Sequence, residues 1–430
     1  MSEARVAETW DVVVLGAGAA GLFCAIEAAR RGRRVLVLDH ARAAGEKIRI
    51  SGGGRCNFTN LHIAPERFLS QNPRFALSAL RRYTQHDFIA RMDRAGIAWH
   101  EKTLGQLFCD GSSRQVVDML LRDLAAAGGE LRLGVGLRAV RPGFTVETDS
   151  GVIAADAVVV ATGGKSIPKM GATGFGYQVA EDFGLPLVAP RPGLVPLTFT
   201  DAQLDALRLL AGISVKARVG VEGAGISFEE GLLFTHRGLS GPSILQISSY
   251  WREGAAIRVD LAAGRDLGQE LWDQRQGQGG RLVANGLDLP EKLARAVVER
   301  AGLSGRIADQ GKAALERLRA AVHDWRLVPA GTEGWRTAEV TLGGVDTAAL
   351  DARTMQARAV PGLYFIGEVV DVTGAGDLFA SGFLLAMARG QDMSEALRLG
   401  CLSASEVISH VGARPVADLR AMAQGQGIAV

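Results

Sequence analysis

Gly16-Ala17-Gly18-Ala19-Ala20-Gly21 is a G-x-G-x-x-G run, and Asp39 stands shortly after it. Together they have the residue types that hold a dinucleotide. Gly16 permits a tight turn, Gly18 lets a pyrophosphate approach the backbone, and Gly21 lets the next helix lie against the strand before it. A carboxylate at the Asp39 position accepts from a ribose hydroxyl. A second run of small residues, Ser51-Gly52-Gly53-Gly54, leads into Arg55, Cys56 and Asn57. It reads as a loop that wraps a ligand at close range.

The elements needed to position these residues are legible around them. Val12-Val13-Val14-Leu15 is an uninterrupted apolar run, as in a buried parallel strand. Leu22, Ala25, Ile26 and Ala29 recur at helical spacing, and Gly32 supplies a stop. Val35 to Leu38 forms the next strand and delivers Asp39 at its end. The helix that starts at the glycine turn offers its free N–H groups to phosphate. Further on, Phe144–Thr148 and Val152–Ala154 flank Asp149-Ser150-Gly151 and read as a hairpin. Ala157 to Ala161 is a strand ending in Thr162-Gly163-Gly164, and Gly362 to Gly367 is another, ending at Glu368. A simple nicotinamide dehydrogenase would continue into another βαβ unit after Asp39. Three strand ends meeting one ligand suit the extended FAD molecule instead.

Composition narrows the class. A chain of 430 residues is long enough for two or three domains. With 48 Lys+Arg against 46 Asp+Glu the net charge is +2, which argues against a chain built chiefly to bind nucleic acid. At 47% hydrophobic residues the chain is not disordered. Four scattered cysteines (Cys24, Cys56, Cys109, Cys401) make neither a disulfide framework nor a metal site. The N-terminal residues have no apolar core of a signal peptide, and Val12 to Ala29 is broken by glycines and a glutamate, unlike a membrane span. The expectation is a soluble cytoplasmic α/β enzyme with a small-molecule substrate, no nucleic-acid or membrane partner, and an unknown oligomeric state.

The texture changes after Pro190, Pro192 and Pro196. Alternating runs such as Ser214 to Val219 predict a half-buried antiparallel sheet or small barrel within 194–260. Helical spacing over 281–327 predicts a helical cluster, and the chain returns to its first lobe at Trp335 to Thr341. Substrate is expected between the lobes. His236, in a Thr-His-Arg-Gly loop, is a candidate proton donor as well as a turn-satisfying residue. Cys56 could be a redox thiol beside a flavin, but no second cysteine is near it in sequence, so a buried structural cysteine is the favoured reading.

Three ordered segments extend this reading: Ser51 to Asn60 (S-G-G-G-R-C-N-x-T-N), Leu233 to Pro242 (L-F-T-H-R-G-L-S-G-P), and Thr341 to Val345 leading to Gly367 to Asp371. Through them residues 1 to about 371 resemble the BaiN/YhiN-like, or aminoacetone oxidase-like, family of FAD-dependent oxidoreductases. The resemblance implies FAD on Gly16, Gly18, Gly21, Asp39, Gly163 and Gly367, with Lys47, Arg55, Asn57, Glu368, Asp371 and Gly374 alongside and Leu137 meeting the adenine through its backbone. It implies an FAD domain over 1–190 and 336–371, split by an inserted domain over 191–335 that is β-barrel-like and then helical.

The carboxyl end departs from that family. Gly374-Ala375-Gly376-Asp377 resembles a signature of the PfkB/ribokinase family of sugar and nucleoside kinases, adenosine kinase in particular. The likeness implies an anion hole at Gly374 to Gly376, a proton-accepting Asp377, and a kinase-like helical fragment over 372–430. Most of such a kinase is missing, so phosphoryl transfer is a remote reading. The expected fold is thus α/β: a Rossmann-like FAD-binding domain, an insert, and a foreign C-terminal segment. The expected activity is hydride transfer through flavin N5, from NAD(P)H or an organic substrate to an organic acceptor or oxygen. The rival is an FAD-binding chain whose substituted end impairs turnover.

Overall fold

The computed structural model describes residues 6–374. They fall into two compact units, Pro192–Glu339 and the remainder on either side of it.

The first unit is organised by a seven-stranded sheet. Strand β1 (Val6–Leu15) leads through the glycine turn into helix α1 (Ala19–Arg30) and then strand β2 (Val35–Asp39). Across the sheet the order is Glu130–Leu133, β2, β1, Val152–Val160, Thr145–Thr148 and Leu137–Arg141, with Leu363–Phe365 also pairing with Val152–Val160. The pairs made by β1 and β2 are parallel. That explains the unbroken apolar run in β1: Val13, Val14 and Leu15 are covered on both faces. Helix α1 buries Leu22, Phe23, Ala25, Ile26 and Ala29 against the sheet. Burying each of the larger side chains contributes about 1.5–3 kcal/mol. Gly32, with φ 79°, turns the chain out of the helix toward β2.

Three local readings are revised. The expected separate strands 152–154 and 157–161 are one strand, Val152–Val160, because β1 begins at Val6 and pairs with it from Val152 to Val160. That partner carries the backbone straight past Asp156, whose side chain stays exposed. The hairpin partner starts at Thr145, since Phe144 has φ 55° and belongs to the turn before it. The segment after Gly45 is a helix, α2 (Glu46–Gly54), only as far as Ile50; Ser51, Gly52 and Gly53 leave helical geometry. Ile48 anchors that short helix in the core.

The second unit carries an open antiparallel sheet in the order Trp325–Leu327, Ile257–Asp260, Ser214–Val221, Ser227–Thr235, Gly238–Ser240, Leu197–Thr198, Gly331–Thr332. The alternation in Ser214–Val221 places Ala217, Val219 and Val221 in its core. Helices Leu267–Gln278, Glu291–Arg300 and Lys312–His323 share that core through Leu271, Leu293, Val297, Leu315 and Leu318. The first of these three lies outside the stretch expected to be helical. Among the described residues no helix is long and apolar enough to cross a membrane.

Candidate functional site

The three glycines of the first turn do three separable jobs. A Cβ on Gly16 would overlap the carbonyl of Ala161, and one on Gly21 would overlap the carbonyl oxygen of Gly16. A Cβ on Gly18 would meet nothing within 4 Å. Gly16 and Gly21 are therefore demanded by close packing of turn, helix and strand, whereas Gly18 faces open space at the helix start. Gly18 caps α1 with extended backbone and no side-chain cap, so the first-turn amides keep their donors for an anion. An open turn with uncapped amides of this kind can accept an anionic group.

Asp39 sits at the carboxyl end of β2 and faces the same turn. Its carboxylate accepts from the Ala17 amide at 2.6 Å and the Ala41 amide at 2.8 Å. These bonds fix the side chain at the strand end, while each oxygen keeps a second lone pair for a hydroxyl. The Val135 amide donates to the Asp39 carbonyl at 3.0 Å and Gly134 to Ala41 at 2.9 Å. Leu137 lies two residues further along, at the start of its strand and opposite Thr148.

A buried polar cluster forms where four segments meet. Glu368 accepts from Lys47 Nζ at 2.5 Å, from the Thr341 amide at 2.7 Å and from the Ser166 hydroxyl at 3.1 Å. Lys47 also donates to Ser166 Oγ at 2.5 Å. The Thr341 hydroxyl accepts from the amides of Lys165 and Ser166, and its carbonyl accepts from the Thr373 hydroxyl. Burial pushes the Glu368 carboxyl up, but the Lys47 ammonium and these hydrogen bonds outweigh it, and the group is held below the usual carboxylate range. Lys47 and Glu368, distant in sequence, are brought into contact; Ser166 and Thr341 complete the cluster and were missed. The only sequence signals were their places, Ser166 just after Thr162-Gly163-Gly164 and Thr341 opening the T-L-G-G-V run.

Glycines make this junction possible. A Cβ on Gly164 would overlap the Thr341 hydroxyl, and one on Gly344 would overlap the Val369 carbonyl. Gly163 (φ 74°) and Gly367 (φ 77°) both hold left-handed backbone at strand ends. Thr162 Oγ1, beside Gly163, is buried without a hydrogen-bond partner. An unpaired buried hydroxyl at a strand end fits a polar ligand there. Asp371 accepts from the Gln71 amide at 2.9 Å, and its burial raises its carboxyl above the ordinary value. Gly374 is buried in a two-residue strand against Phe68.

The Ser51–Asn57 segment is the most contorted part of the unit. Gly52, Gly53 and Gly54 all have left-handed backbone, and Arg55 is exposed at its far side. Cys56 is buried, as expected, and the fold places against it Cys109, a cysteine distant in sequence. Strand β3 (Asn57–Asn60) and strand Gln106–Cys109 bring the two together. His236 is exposed in the turn between Thr235 and Gly238 of the second unit. Asp377 lies outside the described residues.

The carboxyl-end acid, the open glycine cradle and the orphan hydroxyl fit a dinucleotide running along the ends of the parallel strands. The family model of the HI0933-like protein Rossmann domain matches residues 10–391. The chain is 48% identical to the ribosomal RNA dihydrouridine synthase of Escherichia coli, over 90% of this chain and 99% of that protein. It is 43% identical to the ribosomal RNA dihydrouridine synthase of Haemophilus influenzae, over 84% and 92% of the two chains. A stretch of 52 residues is 52% identical to a 1-phosphofructokinase of Haloferax volcanii, covering 12% of this chain and 17% of the kinase. The chain belongs to the HI0933-like family and is an FAD-dependent oxidoreductase.

Proposed function

We propose that this chain reduces the C5–C6 double bond of uracil in RNA, drawing its reducing equivalents from NAD(P)H through FAD. The observation that carries the reading is identity of 48% along nearly the whole of a ribosomal RNA dihydrouridine synthase. Converting uridine to dihydrouridine adds one hydride and one proton across that bond, which is flavin chemistry. Bound FAD supplies the hydride; the protein's task is to hold, orient and protonate. The finer likeness to the BaiN/YhiN-like branch belongs to this same reading.

Within it, Gly18 and the first turn of α1 hold the pyrophosphate. Asp39 takes a ribose hydroxyl, and the 135–137 backbone lies along the adenine. Thr162, Gly163 and Gly367, with Asp371 and Gly374, would hold the ribityl and ring end when FAD is bound. Lys47 and Glu368 brace that end through Ser166 and Thr341. Arg55 and Asn57, on the glycine loop, would hold the ring end when FAD is bound. An RNA substrate departs from the expectation drawn from balanced charge. A net charge of +2 means that RNA must be gripped by local groups rather than by a field over the whole surface.

The 52-residue kinase-like match favours a second reading, an FAD-binding chain whose turnover is impaired. Phosphoryl transfer is set aside, because 17% of a kinase cannot position both substrates. The test is in two steps. The purified protein is mixed anaerobically with NADPH or NADH and its visible spectrum followed; then protein-free ribosomal RNA is added and its nucleosides weighed by mass spectrometry. Bleaching followed by a 5,6-dihydro product supports the first reading. Bleaching without that product refutes the RNA substrate, and bound flavin that neither NADPH nor NADH reduces establishes the second reading.

A further inference from the structure

We propose that Cys56 and Cys109 form a reversible dithiol–disulfide couple, a two-electron redox site that closes by exchange with a small-molecule disulfide. The cysteines come from separate segments, yet both side chains are fully buried and lie against one another where β3 pairs with strand Gln106–Cys109. Backbone bonds fasten the pair on both sides. The Cys109 amide donates to the Arg55 carbonyl at 2.9 Å, and the Cys56 amide donates to the Ser51 carbonyl at 2.9 Å. The amide of Ser113, four residues past Cys109, donates to the Gly54 carbonyl at 2.8 Å.

Cys56 itself has left-handed backbone, φ 51°, which is unfavourable for a residue with a Cβ. The pairing of β3 with its neighbour slips between Asn57 and Thr59, immediately after it. Strained backbone that the surroundings hold in place is characteristic of working sites. A merely structural cysteine needs neither this backbone nor a second thiol. Both sulfurs are buried, so exchange takes place when the segment just before Cys56 opens, where Gly52, Gly53 and Arg55 are exposed.

The two thiols are unequal. The neighbouring Cys56 lowers the Cys109 thiol, whereas Cys56 is pushed up by Cys109 and by burial. Cys109 is therefore the attacking sulfur. Its thiolate attacks one sulfur of oxidised glutathione, the S–S bond breaks, and one glutathione thiolate leaves and takes up a proton. The Cys56 thiolate then attacks the Cys109 sulfur of the mixed disulfide and expels the second glutathione. Two protein thiols are oxidised, one glutathione disulfide is reduced to two thiols, and no other reactant is needed. The closed form ties the base of the Ser51–Arg55 loop to strand Gln106–Cys109.

The test uses the full chain with its FAD and the substitutions Cys24→Ser and Cys401→Ser, which leave only this pair. The protein is equilibrated in glutathione buffers from fully reduced to fully oxidised, quenched in acid, alkylated and mapped by peptide mass spectrometry. The expected result is a Cys56–Cys109 linked peptide rising in a single two-electron transition and lost on adding dithiothreitol. In Cys56→Ala, Cys109 is expected to accumulate as the glutathione mixed disulfide. Free thiols at both positions in every buffer, or separate glutathione adducts without a link in the parent protein, would overturn the proposal. The linkage is read in the parent protein, so a poorly folding Cys56→Ala variant leaves the test intact.

Discussion

The Lys47–Glu368 contact sets a measurable energy on the junction that braces the candidate site. Lys47 Nζ stands 2.5 Å from the carboxylate, with the lysine side chain 36% exposed and the glutamate 14% exposed. Charge centres about 4 Å apart attract by about 4 kcal/mol at an effective dielectric of about 20. Part of that is offset by the cost of taking the carboxylate out of water. Lys47→Met leaves Glu368 charged and buried, held only by Ser166 and the Thr341 amide. Stranding a buried charge costs about 3–5 kcal/mol in a closed site, and the partial exposure of Lys47 lowers the expectation here to about 2 kcal/mol. Glu368→Gln keeps an acceptor for both remaining donors and should cost about 1–2 kcal/mol. The double variant should cost less than the sum, with a coupling of about 1–3 kcal/mol. Urea unfolding of the four proteins, followed by release of flavin, gives the cycle. Costs that add within about 0.5 kcal/mol would mean that the pair is not an energetic unit, and the account of the junction would fail.

Acid titration should show the same group with a definite sign. The Glu368 carboxyl lies below its ordinary value of 4.5 in the fold, so its stabilisation is complete above that value and is lost as pH falls through the folded value. Glu368→Gln should flatten the acid limb of a stability–pH curve. Asp371 has the opposite sign: raised above 3.8, it contributes stability at low pH that is lost as pH rises through its folded value. Asp371→Asn should remove that decline, read from the same curve. Gly18→Ala should leave melting unchanged and weaken FAD binding at least tenfold, whereas Gly21→Ala should lower both, by about 1–3 kcal/mol in stability, because its methyl would enter the Gly16 carbonyl. Calorimetry and flavin titration separate the two; equal losses in both variants would refute the assignment of roles. Asp123→Ala should cost about 2 kcal/mol in urea unfolding, since Arg91 is only 8% exposed and pairs with Asp123, whose own partial exposure lowers the figure.

The first βαβ unit was legible because each of its signals is local. An apolar run, three spaced glycines, a helical repeat and a terminal acid are all read within one stretch of chain, and the end of β1, α1 and β2 lie where those signals put them, although β1 begins at Val6 rather than Val12. The Asp149–Gly151 hairpin was legible for the same reason. Strand length was not. Whether 152–154 and 157–161 are two strands or one depends on the partner beside them, and that partner is β1.

Residue types and spacing alone therefore determined the cofactor class, the glycine cradle with its acid, and a β-rich then helical insert. The tertiary structure decided which distant residues meet. Lys47 finds Glu368 only because α2 and the 367–369 turn meet at Ser166, while the Thr341 amide holds Glu368 and its hydroxyl holds the 165–166 backbone. Cys56 finds Cys109 only because β3 pairs with strand Gln106–Cys109. Such meetings leave no local trace: a buried charge or thiol acquires its partner from strand order and close glycine packing, which one stretch of sequence does not encode.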